Sequence, residues 1–111
     1  MGAKANIVID QGADFSTTVT VTDDSNAAVD LTGYTARGQI RKHYTSTTAV
    51  DFTINFGSPR SEGQVELSLT NSQTGSMEAG RYVYDAEIIS SSGTVTRLVE
   101  GIATVTPQVT R

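Results

Sequence analysis

The sequence predicts an all-β fold, an antiparallel sandwich of about seven short strands, and three observations carry that prediction. The composition leans to Thr, Ser, Val and Gly, and β-branched Thr and Val favour extended backbone. Apolar residues recur with a period of two in most segments, and no long segment has helical spacing. Clusters of Gly, Ser, Asn and Asp punctuate the chain at roughly 8–12-residue spacing, the pattern of a β-sandwich.

A length of 111 residues predicts a single domain, 1–111. Such a chain buries roughly 65% of its unfolded surface, enough for one modest core. The absence of Cys removes disulfides and thiolate sites and fits an intracellular folding compartment. A net charge of −4 opposes nucleic-acid binding, which needs a basic face. Apolar runs such as "NIVI" are too short to span a bilayer. "MGAKANIVID" lacks a signal-peptide core, and Asn6 stands where a myristoylation signal needs Ser or Thr. The expectation is a mature, soluble chain with no nucleic acid and no membrane as partner.

The first strand is expected in "ANIVIDQG", with Ile7 and Ile9 on one face, Val8 on the other, and Gly12 ending it. "DFSTTVTVTDD" alternates most strictly: Phe15, Thr17, Val19 and Val21 on a buried face, Ser16, Thr18, Thr20 and Thr22 on a wet one. "DDSNA" is a turn of residues that bond their own backbone. Val29 and Leu31 are apolar anchors, and Gly33 permits a bend. A third strand runs from Tyr34 to His43, with Ala36, Gly38 and Ile40 inward and Arg37, Gln39, Arg41 and His43 outward. Gly38 leaves a hole for a large side chain, and Tyr84 is expected to fill it. "AVDFTINF" is expected as one strand, with Val50, Phe52, Ile54 and Phe56 on one face.

"GSPRSEG" is a polar turn, and "QVELSL" points Val65, Leu67 and Leu69 inward. In "TNSQTGSMEAG", Thr70 and Gln73 have the spacing of a capping box over one helical turn, with Met77 as its inward anchor. "RYVYDAEII" turns Tyr82, Tyr84, Ala86 and Ile88 to one face and Arg81, Val83, Asp85 and Glu87 to the other. "SSSG" closes a hairpin into "TVTRLVEGIATVT", where the alternation drifts across Glu100–Gly101 and predicts a bulge.

The stretch "EAGRYVY", Glu78 to Tyr84, carries the tyrosine-corner spacing of an immunoglobulin-like sandwich. Gly80 and Tyr82 would form the corner, the Tyr82 hydroxyl bonding backbone a few residues upstream. Tyr84 stands where such a domain would carry a cysteine. The prediction is therefore an immunoglobulin-like antiparallel β-sandwich, with a small β-barrel or jelly roll as the alternative.

Chemistry is scarce. His43 is the one histidine, and a metal site needs three or four ligands. No serine stands in a Gly-x-Ser-x-Gly elbow. Asp23, Asp24 and Asn26 lack the distant glutamate of a calcium loop. The chain is expected not to be an enzyme and to take no metal, cofactor or small-molecule substrate. Arg37, Arg41, His43, Asp85 and Glu87 form the richest polar patch. Their charges are expected to pair across neighbouring strands, and the same face is a candidate protein interface. The two open sheet edges are expected at Ile7 to Asp10 and Ala103 to Val105, with "TPQVTR" extending beyond the last strand.

The order of "IDQGADFSTTVTV", "DLTGYTARGQIRKHYTSTTAV", "GQVELSLTNSQT" and "AGRYVYDAEIISSSGTVTRLVEGIATVTPQVTR" resembles small virion proteins of tailed bacteriophages, of marine and cyanobacterial myovirus type. "DLTGYT" and "GRYVYDAEI" are also similar to the N-terminal domain of phage baseplate upper proteins. The resemblance implies a non-enzymatic decoration, neck, tail or baseplate accessory subunit, made in the host cytoplasm. It implies other virion proteins as partners, in multiple copies, and brings no catalytic residues. Baseplate upper proteins continue into a fibrous part, whereas this chain stops at Arg111, the size of a docking module. The alternative is a carbohydrate-binding adhesion module. It is disfavoured by the lack of Trp and by only Tyr34 and Tyr44 being free of core duty.

Overall fold

The computed structural model describes residues 3–23 and 25–110. Two sheets pack face to face. The larger holds β1 (Ala3–Lys4), β2 (Ile7–Asp10), β4 (Thr35–Arg41), β5 (Val50–Asp51), β8 (Gly80–Ile89) and β9 (Val95–Thr106), in the order β1-β9-β8-β4-β5 with β2 also on β9. The smaller holds β3 (Phe15–Thr20), β6 (Thr53–Phe56) and β7 (Gln64–Leu69), in the order β3-β7-β6. The fold is an all-β, immunoglobulin-like sandwich. Its first strands run parallel to the last, and all other pairs are antiparallel.

The period-two residues meet between the sheets. Val65, Leu67 and Leu69 from β7 face Ile9, Ile40, Tyr84, Ala86, Ile88, Ala103 and Val105 in one buried cluster. Leu31 and Val21 seal one part of it and Met77 another. Thr70 and Gln73 cap α1 (Asn71–Gly75) reciprocally, as their spacing predicts. Thr74 on this helix has no exposed surface. Its hydroxyl accepts from Gly12 N at 3.0 Å and donates to Ala13 O at 2.9 Å, so the helical turn holds the β2–β3 loop.

Several details of the strands differ from the sequence expectation. "AVDFTINF" is two strands, not one: Val50–Asp51 pairs with β4, and Thr53–Phe56 pairs with β7. Phe52 sits at the switch, its N–H donating to Gly38 O at 3.0 Å. The hole over Gly38 is therefore filled by Phe52, whose ring would lie 3.2 Å from a Cβ there. Tyr84 instead pairs with Ile40 and meets the Phe52 ring edge-on at 6.0 Å. The bulge is at Leu98, not Glu100–Gly101: Ala86 faces Val99 and Glu87 faces Arg97, so Leu98 is the extra residue. Both Leu98 and Val99 are consequently buried.

The first strand is broken at Ala5–Asn6. The Ala5 carbonyl lies so close to Gly101 that no Cβ could fit there. Asn6 Oδ1 takes over by accepting from Ile102 N at 3.1 Å. The expected edge at Ala103–Val105 is no edge, because Ile7–Ile9 pairs with it in parallel. An edge was expected there because the sequence does not reveal that the first and last strands are neighbours.

Candidate functional site

The outer face of the larger sheet gathers most of the polar residues that the sequence singles out. Arg37 on β4 faces Glu87 on β8, and its Nε lies 2.8 Å from Glu87 Oε1. Asp85 does not meet Arg41. It faces Gln39 and Glu100, and Arg97 Nε approaches it at 3.7 Å. Arg97 Nη1 also lies 3.4 Å from Glu100 Oε1. Arg41 turns to its own loop, donating to Ser46 O and, at 2.8 Å, to Gln39 Oε1. Gln39 in turn donates to Asp51 at 2.7 Å.

This lattice is exposed, so each ion pair contributes under about 1 kcal/mol. It leaves Asp85 and Glu87 beside cations. Arg97 is the member of this group that the sequence reading did not single out. Placing the bulge at Leu98 would have put Arg97 outward, opposite Glu87.

His43 is not on this face. The strand ends at Arg41, and His43 begins a turn, its N–H donating to Ser46 Oγ. It lines a hollow of about 530 Å³ together with Met77, Glu78 and Tyr82. Among the described residues, no three His, Asp or Glu side chains come together. Asp24, part of the acidic turn, lies outside the described residues. Asp23 Oδ1 accepts from Ser25 N and Ala27 N, the self-bonding turn that its composition predicts.

The corner is present in geometry. Tyr82 donates to Glu78 O at 2.8 Å across the crossover from β7 to β8, and Gly80 beside it has φ of 140°. Lys42 Nζ lies 4.7 Å from the Tyr82 ring centroid. Partial burial, then the Glu78 charge, push the Tyr82 phenol above its ordinary pKa, against the pull of its hydrogen bond. Tyr84 is raised by burial. Its hydroxyl donates to Ala5 O at 2.5 Å, tying the central strand β8 to the first edge.

A shallow hollow of about 270 Å³ lies on the outer face, lined by Gln39, Arg41, Tyr44, Asp85, Arg97 and Glu100 among others. Tyr44 is 84% exposed at its rim. Tyr34, the other tyrosine expected to be free, is half-buried and packs against the core.

On another side the sandwich is open. Among the described residues, β2 pairs only with β9, and β3 only with β7. The short loop between β2 and β3 keeps both bare edges on that side. Ile7, Phe15 and Val19 are only half-buried there, although all three pack on the core. Val8 on β2 is 62% exposed.

These features define the class as an immunoglobulin-like β-sandwich whose polar face is internally paired and whose β2 and β3 edges have no partner strand among the described residues. No protein-family model matches the chain, and no curated protein matches it. Among solved structures, the sialic acid binding region of the Streptococcus sanguinis SK1 adhesin, bound to 3'sLn, is similar with a TM-score of 0.51. Identity is 16%, over 93% of this chain and 28% of that one. The Listeria monocytogenes internalin-like protein lmo2027 gives a TM-score of 0.49 at 14% identity, over 95% of this chain and 28% of that one. The chain thus spans under a third of either structure. At 16% identity the likeness to the adhesin region is one of fold alone.

Proposed function

We propose that this domain is a non-enzymatic structural subunit of a tailed-bacteriophage particle, acting through protein–protein contacts. The phage part rests on the ordered resemblance of "DLTGYT", "GQVELSLTNSQT" and "AGRYVYDAEI" to small virion proteins. The contact part is carried by one observation, the open side of the sandwich. Two bare strand edges flank half-buried Ile7, Phe15 and Val19 there. Unpaired edges next to apolar surface are covered by a partner or become an aggregation hazard. The outer-face acids and arginines, being bonded to one another, favour a structural surface over one that holds a charged substrate.

The test is the position of the subunit in assembled particles. Electron microscopy of particles carrying a tagged chain is expected to show the tag at regular sites on the head, neck, tail or baseplate. Particles that assemble without the chain, and never contain it, would remove the reading.

A second reading, a glycan-binding adhesion module, has one observation of its own. Exposed Tyr44 stands at the rim of a polar hollow with Arg41, Asp85 and Arg97, an aromatic face beside hydrogen-bonding side chains. A glycan array on the purified domain separates the two. Tight binding lost in Tyr44→Ala would favour adhesion, and the particle reading expects no strong signal.

A further inference from the structure

The edge of β3 differs from every other strand edge in the described residues. β5 has two residues, and β2 and β6 have four each. Asp10 charges the end of β2, and the Arg60 guanidinium stands 4.2 Å from the Phe56 ring centroid on β6. β3, "FSTTVT", has six residues without a charge, a proline or a register shift. It carries none of the devices that keep edges from pairing. Its inward residues are also under-covered. Phe15, Thr17 and Val19 are only partly buried, while their β7 partners Leu69, Leu67 and Val65 are at most 2% exposed.

The unpaired backbone groups are identifiable. Val21 N donates to Gly63 O at 2.7 Å, continuing the register Phe15↔Leu69 to Val19↔Val65. In an antiparallel pair, alternate residues turn both backbone groups to the same neighbour. Odd-numbered residues therefore bond β7, and Ser16, Thr18 and Thr20 present N–H and C=O to the bare side.

We propose that this edge docks antiparallel against the same edge of a second copy of the chain, joining two three-stranded sheets into one. The strand is self-complementary in a register centred on Thr17. Ser16 then exchanges backbone bonds with the partner's Thr18, and Thr17 faces the partner's Thr17 across the two-fold axis. Phe15 covers the partner's Val19. Thr–Thr and aromatic–β-branched pairs are both favourable cross-strand contacts, and the register opposes no like charges. All apolar members of the strand fall on the core side, so the joined sheet keeps one dry face. An isologous contact of this kind closes at two copies and does not grow into a fibre. The inference rests on the protein-contact reading but not on the phage assignment. Self-association of the purified chain tests the one, and particle incorporation tests the other.

Sedimentation velocity over a dilution series is the experiment. The chain is expected to shift reversibly from monomer to dimer mass as concentration rises. Ser16→Lys with Thr18→Lys opposes ammonium groups across the axis and should weaken the dimer at least roughly tenfold. It spares the monomer, because Ser16 and Thr18 are exposed and Thr18 faces Glu66 on β7. Ser16→Glu with Thr18→Lys opposes unlike charges in the same register and should restore it. In this cysteine-free chain, Thr17→Cys should give a cross-linked dimer on mild oxidation, with Ser16→Cys giving far less. A chain that stays monomeric at roughly 1 mM assigns the edge to another partner and overturns the proposal. So does a dimer that the double-lysine variant leaves intact, or a charge swap that restores nothing.

Discussion

At the scale of single residues, the Tyr84 phenol and the Thr74 hydroxyl tie elements that lie far apart in sequence, while the Tyr82 phenol closes a local corner. The Tyr82 bond to Glu78 O is local and partly exposed. Tyr82→Phe should lower stability by about 1 kcal/mol in urea unfolding, the ordinary yield of one hydrogen bond. An unchanged midpoint would detach the corner from stability. Thr74→Val should cost more, about 1–3 kcal/mol. It leaves Gly12 N–H and Ala13 C=O without the buried hydroxyl that serves both. Tyr84 couples stability to alkaline pH. Burial raises its folded pKa above the ordinary 10.0, so the unfolded chain loses this proton first. Its stabilising contribution is full below pH 10 and lost as pH rises through the folded value. A thermal-melt series should show Tm falling above pH 10, less steeply in Tyr84→Phe. Equal slopes would mean that Tyr84 is not the linked group.

At the scale of elements, close backbone approach decides where strands bend and end. The Ala5 carbonyl occupies the space over Gly101, so β1 and β2 cannot be one straight strand. Gly101→Ala forces that carbonyl away and loosens the Ala5–Tyr84 bond with it. The expected cost is about 1–3 kcal/mol, as for other overpacked sites. Faster hydrogen exchange at Ala5 N, which donates to Glu100 O, should accompany it; unchanged exchange there would contradict the account. The same logic governs Phe52. One residue between two sheets carries the chain across, and Gly38 makes room for its ring. Leu98 and Val99 are both buried because the bulge lets consecutive side chains face inward.

At the scale of the whole molecule, the first and last strands lie side by side, and the C-terminal segment continues along them. Gln108 N donates to Gln11 Oε1 at 2.9 Å, and Gln11 Nε2 donates to Met77 O at 2.8 Å. Removing residues 109–111 should therefore leave urea stability unchanged. Removing 107–111 should cost about 1 kcal/mol, because the Gln108 anchor goes with it. Equal stability in both truncations would show the anchor to be idle. If the segment beyond Gln108 meets a neighbouring subunit, the shorter truncation should still weaken incorporation into particles. Calcium and zinc should leave Tm unchanged, since the described residues bring no ligand set together.

Most of what alternation can encode was readable. The inward sets Val65–Leu67–Leu69 and Tyr84–Ala86–Ile88 are buried as their period of two requires, and the cap of α1 follows from Thr70 and Gln73 alone. The sequence by itself determined which residues of most strands face the core, where most of the turns fall, and that the chain is all-β. Those are local properties, set by neighbours within a few residues. Only the tertiary structure decided which strands meet. It paired Ile7–Asp10 with Ala103–Thr106, matched Asp85 with Arg97 in place of Arg41, put Phe52 over Gly38, and left β3 bare on one side. Period two assigns a face but carries no address for the neighbouring strand. That address comes from how loop lengths and side-chain volumes let the two sheets close on one core.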